Sequence, residues 1–314
     1  MRAKPCVAAV AVTVTVVAVL LSAGLAPSRA AAQAFESGSR AELYRRHVLG
    51  GKDVQCRTNA SCAALGVEAL NAGHIRDAQA LVDMEAMLAD AATLQAEEEN
   101  APKAIGSAES RVDMALVHEG DVQASEDAFA NARAYYRSAI TRASHSAEDP
   151  MLSRVRTVAQ QRLAGIADKN VVQGPPAAGT HFARYMNLGA WSSVTLTPLK
   201  GRRGEYRLDA EFVYPSVGQD GNPQASTGSV VANVRFFGGI ARVPVSDVPR
   251  GALIEATSHL ANPAPYEGRP DRCLLEFRLS EPETLEVLTH GSADACGFGA
   301  RVTADGAYYL KTDS

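Results

Sequence analysis

A few residue groups in this chain have types and spacings that could do chemistry. His290, Asp294 and Cys296 lie close together near the C-terminal end. A cysteine beside a histidine is nucleophilic when the thiol ionises. Ionisation needs an exposed, electropositive setting, and Cys296 has a ready disulfide partner upstream in Cys273. A disulfide has no thiolate. His118-Glu119 begins like a zinc-protease motif but lacks the second histidine four positions on. It reads as a capping or solvated histidine at a helix end. Lys200, Arg202 and Arg203 form a basic cluster at an expected hairpin tip. They could grip an anionic glycan or a lipid head group, or form a solvated turn. "AEEENAPK" (96–103) reads as an acidic helix end and loop, without the spacing of a calcium-binding EF-hand. Gly-x-Ser-x-Gly and phosphate-binding glycine loops are missing. The expectation is a chain with no catalytic residue, no cofactor and no metal.

The remaining cysteines point to an oxidising compartment. Cys6 lies in the N-terminal apolar region, which leaves Cys56, Cys62, Cys273 and Cys296. An even number in an exported chain is read first as disulfides. The simplest pairing is local, Cys56 with Cys62 and Cys273 with Cys296. The second pair closes a loop of about 23 residues, for which chain entropy predicts roughly 3 kcal/mol. The composition, rich in alanine and poor in lysine, looks like that of a high-GC bacterium, and on that reading the glycosylation-acceptor match "NAS" at Asn59 is incidental.

Export is expected from the first residues. Arg2 and Lys4 precede the run "CVAAVAVTVTVVAVLLSAGLA", and Ala32-x-Ala34 supplies a cleavage site. The rival reading is an uncleaved anchor, because the run approaches the length of a membrane span. Cleavage after residue 34 removes Arg2, Lys4 and Arg29, leaving 28 basic and 35 acidic residues, a charge of about −7. That balance argues against nucleic acid as a partner. About 280 mature residues suit two domains. The expected product is periplasmic or secreted, with no membrane span after cleavage.

The elements that would position these groups fall into two halves. Residues 35–167 are rich in Ala, Leu, Glu, Gln and Arg, good helix formers. Ala64, Leu65, Val67 and Leu70 share one helical face; Gly73 interrupts, and Ile75, Ala78, Val82 and Met87 resume the pattern. This predicts an antiparallel helical hairpin. A further helix is expected over 149–166, with Pro150 in its first turn. Residues 168–180 hold Gly174, Pro175, Pro176 and Gly179 and read as a linker. "HFARYMNLG" fits either a short helix or an extended entry to the second half.

Residues 181–314 follow strand grammar. "WSSVTLTPL", the turn "KGRRG" and "EYRLDAEFVY" form a hairpin with Tyr206, Leu208, Ala210, Phe212 and Tyr214 on one face. A long polar loop is expected over 215–228, then a second hairpin of "SVVANVRFF" and "IARVPV". "CLLEFRL" and "TLEVLTH" follow, and Asp305-Gly306 suits a tight turn in a closing hairpin. Gly297 and Gly299 flank Phe298 and mark a bulge or a close backbone approach.

Two resemblances sit on these residues. Leu65-Gly66, Gly73, Ile75 and Ala78, with a second echo in Ala132, Tyr136 and Ala139, resemble tetratricopeptide repeats over roughly residues 61–142. The segment between Gly120 and Ala132 exceeds that consensus, and a compact bundle is the alternative. The end of the chain resembles small β-barrel modules of bacterial envelope proteins. The matching residues are Cys273, Leu275 and Phe277, then Cys296, Gly297, Phe298, Gly299, Asp305, Gly306 and Tyr308. The general shape is also similar to periplasmic lysozyme-inhibitor barrels.

The expected architecture is α+β: an N-terminal α-helical hairpin array, then a separate C-terminal antiparallel β-barrel or sandwich. The expected function is a non-enzymatic envelope protein, an interaction scaffold or binding module for a protein partner or cell-wall component. The alternatives are an inhibitor of a cell-wall hydrolase and an unrecognised periplasmic hydrolase.

Overall fold

The computed structural model describes residues 56–145, 149–172, 176, 179–187, 189–217, 223–247, 249, 252–256 and 262–312. The expected leader, residues 1–34, lies outside the described residues. Among those described, no helix is long and apolar enough to cross a membrane.

Among the described residues five helices precede the strands: α1 (Asn59–Asn71), α2 (Ile75–Glu98), α3 (Pro102–Ser125), α4 (Phe129–Ala143) and α5 (Pro150–Ala164). Local chemistry sets their ends. Thr58 and Ser61 exchange side-chain to backbone hydrogen bonds in a capping box at α1. The Cys56–Cys62 disulfide braces the same entry. Gly73 turns the chain at φ +76°, a conformation costly for other residues. Asp149 caps α5 by accepting from the Met151 amide at 2.7 Å. Each helix packs on the next in sequence, as short connections dictate.

Gly120 sits inside α3, where the sequence pattern placed the end of a helix. Its reason is packing: a Cβ there would fall 2.4 Å from the Tyr136 ring. Helix α3 therefore runs on to Ser125, and the turn moves to residues 126–128.

Among the described residues nine strands form one sheet. They are β1 (Thr180–Asn187), β2 (Ala190–Pro198), β3 (Glu205–Val217), β4 (Pro223–Arg235), β5 (Ile240–Val243), β6 (Ile254–Ala256), β7 (Cys273–Glu281), β8 (Thr284–Gly291) and β9 (Gly306–Lys311). Their order is β5-β7-β8-β9-β1-β2-β3-β4-β6, antiparallel except for the β4–β6 pair. The outer strands are β5 and β6. Because only residues 236–239 separate β4 from β5, the edges come together. The result is a nearly closed barrel with few exposed strand edges. Phe182, Leu196, Leu208, Phe212, Phe277, Leu285 and Tyr308 fill it.

The segment "HFARYMNLG" enters as strand β1. Most of the expected loop over 215–228 is ladder, since β3 and β4 pair from Glu205–Arg235 out to Val217–Pro223. Apolar alternation fades there because the ribbon's distal end is only partly covered. The expected β4–β5 hairpin reduces to one bridge between Phe237 and Ile240. Gly238 and Gly239, both at positive φ, fold β5 onto β7 instead. Asp305-Gly306 is not a hairpin turn. Gly306 opens β9, which pairs with β1 and β8 rather than with the segment before it. The Asp305 carboxylate accepts from the Thr289 amide at 2.5 Å and the Thr303 hydroxyl at 2.9 Å, so side-chain bonds hold that approach.

Candidate functional site

The two halves meet along α4, and the sequence of that helix explains how. Arg133, Arg137 and Thr141 recur every four residues and so line one face. Arg133 makes a bidentate pair with Glu283 at 2.6 and 2.5 Å. It also donates to the carbonyl of Lys169 at 2.6 Å, tying down the start of the linker. Asn131 accepts from the Thr312 amide at 2.7 Å. Thr141 and Tyr309 share a 2.6 Å hydroxyl hydrogen bond.

Between these contacts lies a cavity of about 220 Å³. Helix α3 contributes Glu109 and Asp113; α4 contributes Ser138, Thr141 and Arg142; β1 contributes Arg184 and Tyr185; β9 contributes Tyr309. Asp113 accepts from Arg142 Nε at 2.5 Å. Burial pushes the Asp113 carboxyl up to about 6, with Arg142 opposing the shift. The Arg142 guanidinium also stacks over the Tyr185 ring, 5.5 Å from its centroid. Tyr185 donates to Asp90 at 3.0 Å, and burial pushes its phenol up.

Arg184 packs against Gly306 at the start of β9 and donates to the Asp305 carbonyl. Gly306 makes this possible: at φ +138°, a Cβ there would fall 2.7 Å from the guanidinium carbon. Ser138 is 4 % exposed, and its hydroxyl has no hydrogen-bond partner among the described residues.

A second polar cluster joins α2 to α3. Gln79 donates to Asp83 at 2.9 Å and to Glu119 at 2.8 Å. Burial and the Asp83 charge push the Glu119 carboxyl up to about 8. Lys311 stacks on Trp191 at 4.0 Å and Tyr135 at 4.7 Å, and burial lowers its ammonium pKa.

The sequence-derived candidates are scattered. Cys56–Cys62 and Cys273–Cys296 are both bonded, in the expected local pairing. His290 contacts Glu267 at 2.8 Å and Glu276 at 3.5 Å, so its partners are carboxylates. His118 lies within α3, not at a helix end, 2.7 Å from buried Glu85. Burial would lower its pKa, but the Glu85 hydrogen bond and charge raise it instead. Arg202 reaches Glu205 at 3.5 Å in the exposed β2–β3 turn. Asn59 donates to the Glu85 carbonyl at 3.0 Å. Among the described residues no group of three His, Cys, Asp or Glu side chains is arranged for a metal.

The signature residues serve the barrel. Gly297 takes φ +75° after the 3-10 turn over Asp294–Cys296. Phe298 packs 5.2 Å from Phe212 and covers Gly228, where a Cβ would fall 2.3 Å from its ring. The Gly299 amide donates to the Thr227 carbonyl at 3.0 Å. Tyr308 is fully buried and donates to the Ala304 carbonyl at 2.8 Å. Only Gly306 and Asp305 reach the cavity, through Arg184. Asp113, Ser138, Arg142 and Arg184 escaped sequence reasoning. The one available signal was the polar stripe along alanine-rich α4.

No protein-family model, curated protein or solved structure matches this chain.

Proposed function

We propose that this chain is an exported, non-enzymatic binding module that holds its ligand between the helical array and the barrel. The observation that carries this reading is the cavity at the junction, whose lining includes Ser138, a residue with a buried hydroxyl that has no hydrogen-bond partner among the described residues. Buried polar groups are ordinarily hydrogen-bonded, and ligand sites favour concave interfaces with a few convergent polar groups. The stitching along α4 makes the two walls rigid, which suits recognition. The leader-like N-terminus and two disulfides support an envelope location. The likeness to tetratricopeptide repeats and to envelope barrel modules points the same way. The ligand source is the cell wall or an envelope protein.

The test is native mass spectrometry of residues 35–314 after exposure to a small-molecule fraction from bacterial envelopes. Binding predicts an adduct released chemically unchanged, and lost in a folded Ser138→Leu variant that fills the cavity. Release of a chemically altered compound would make the chain an enzyme. Inhibition of a muramidase by the chain, with no adduct, would favour the hydrolase-inhibitor reading.

A further inference from the structure

We propose that the junction cavity binds a small carboxylate whose neighbouring carbon carries a hydroxyl or ammonium group. Arg184 takes the carboxylate, and Ser138 with Asp113 takes the adjacent donor. The proposal rests on the binding reading above and names its ligand class.

Size comes first. A volume of about 220 Å³ corresponds to roughly seven waters at ~30 Å³ each. That suits a compact molecule and excludes a folded segment of protein.

Charge comes second. The two arginines of the cavity wall differ. Arg142 has a counterion, since its Nε donates to Asp113 at 2.5 Å. Arg184 has none within ion-pair distance among the described residues; its recorded hydrogen bond goes to the neutral Asp305 carbonyl. That bond uses Nη1 and leaves further N–H donors of the guanidinium fork. Guanidinium groups favour planar, two-pronged recognition of carboxylates. Gly306 holds the group in place, because any side chain there would occupy the arginine's position. A flexible surface arginine would need no such cradle.

The donor side comes third. Ser138 is buried in the wall with an orphan hydroxyl. Rotation of its side chain toward the cavity would let it accept from a ligand hydroxyl or ammonium and donate in return. Asp113 and Glu109 lie in the same lining and supply carboxylate acceptors for the donor group. The Thr141 and Tyr309 hydroxyls, also in the lining, bond each other. An arginine with no counterion and an orphan hydroxyl beside a carboxylate match a molecule carrying both charge and donor. A plain fatty acid uses only the first, and a neutral sugar only the second.

The experiment is calorimetry and thermal shift on the mature chain, residues 35–314. The probes are D- and L-lactate, glycine and D- and L-alanine, set against lactamide, alaninamide and propionate. We expect at least one hydroxy or amino acid to bind and to raise the melting temperature. Its amide should bind about tenfold more weakly or worse, for want of a charge-assisted pair. Arg184→Gln should cause a similar loss, and Arg184→Lys a partial one. Ser138→Ala should weaken lactate or alanine several-fold and leave propionate unchanged. Gly306→Val tests the arginine's position without touching its charge and should lose the same ligand. Amides binding as tightly as acids, or Arg184→Gln and Gly306→Val binding normally, would overturn the carboxylate assignment and leave the binding reading intact. If no probe binds while an envelope fraction yields an adduct, the ligand class alone is wrong. If neither gives binding, both proposals fall.

Discussion

Arg133 and Glu283 stand 150 positions apart in the chain and meet in a bidentate pair, with their side chains 1 % and 4 % exposed. One belongs to the helical array and the other to the turn between β7 and β8. Arg137 adds weaker contacts to Glu283 at 3.6 Å and to Glu281 at 3.5 Å. The halves are therefore joined by charge as well as by packing.

Removing one partner leaves a buried charge uncompensated. Arg133→Ala or Glu283→Ala should each cost about 3–5 kcal/mol, while a double change to Met and Leu should cost much less. Urea denaturation followed by tryptophan fluorescence checks this, because Trp191 sits at the junction against Tyr135. Single variants no weaker than the double would remove the ion pair from the account.

Two glycines exist to admit aromatic rings. Gly120→Ala drives a methyl into Tyr136, and Gly228→Ala drives one into Phe298. Each should destabilise by about 1–3 kcal/mol through overpacking. Adding Phe298→Leu to Gly228→Ala should recover part of the loss, whereas Phe298→Leu alone should be destabilising. Gly73→Ala meets no neighbouring atom and should cost only about 1–2 kcal/mol, for its positive φ. Thermal melts of the set separate the two causes.

Stability should fall as pH rises from about 4.5 through 8. Glu119 is pushed up to about 8 by burial, with Asp83 adding to the shift. The folded state therefore holds a proton that the unfolded chain releases from about 4.5 upward, so stability is lost progressively over that interval and the loss is complete above about 8. Asp113, pushed up to about 6, has the same sign. His118, also raised, contributes stability below pH 6.5 that is lost as pH climbs through its folded value. Glu119→Gln keeps the shape without the charge. It should flatten the profile and be the more stable protein at pH 9 by up to a few kcal/mol. A parallel pair of pH–melting curves decides it.

Reduction should unpin the barrel closure. The Cys273–Cys296 bridge closes a loop over a sequence separation of 23, so Cys273→Ser with Cys296→Ser should lose roughly 3 kcal/mol. Neither sulfur should react with an alkylating agent in the native, oxidised protein. Labelling of Cys296 under those conditions would restore it as a nucleophile.

Much of the architecture was legible because its determinants are local. Apolar spacing located α1 and α2, Gly73 located their turn, and Pro150 located the start of α5. Alternation located β2, β3, β7 and β8. Cysteine proximity predicted both disulfides. The misreadings have a shared cause. Gly120 and Asp305-Gly306 look like chain breaks when judged by neighbours in sequence. Gly120 is small because Tyr136, a residue of the next helix, lies over it. Gly306 is small because Arg184, on the neighbouring strand β1, lies over it.

Helix and strand propensity, turn chemistry and short-range cysteine pairing act over a few residues to a few tens, so the order of residues alone settled the helical half, the sheet-forming half and the covalent clasps. The cavity is different. Asp113, Ser138, Arg142 and Arg184 come from three elements of two differently built halves, and no local rule relates their positions. Only closure of β9 onto β1, and docking of α4 on that closure through Arg133 and Glu283, bring them to one wall. That assembly depends on long-range ion pairs and packing, whose energies exist only once the chain is folded.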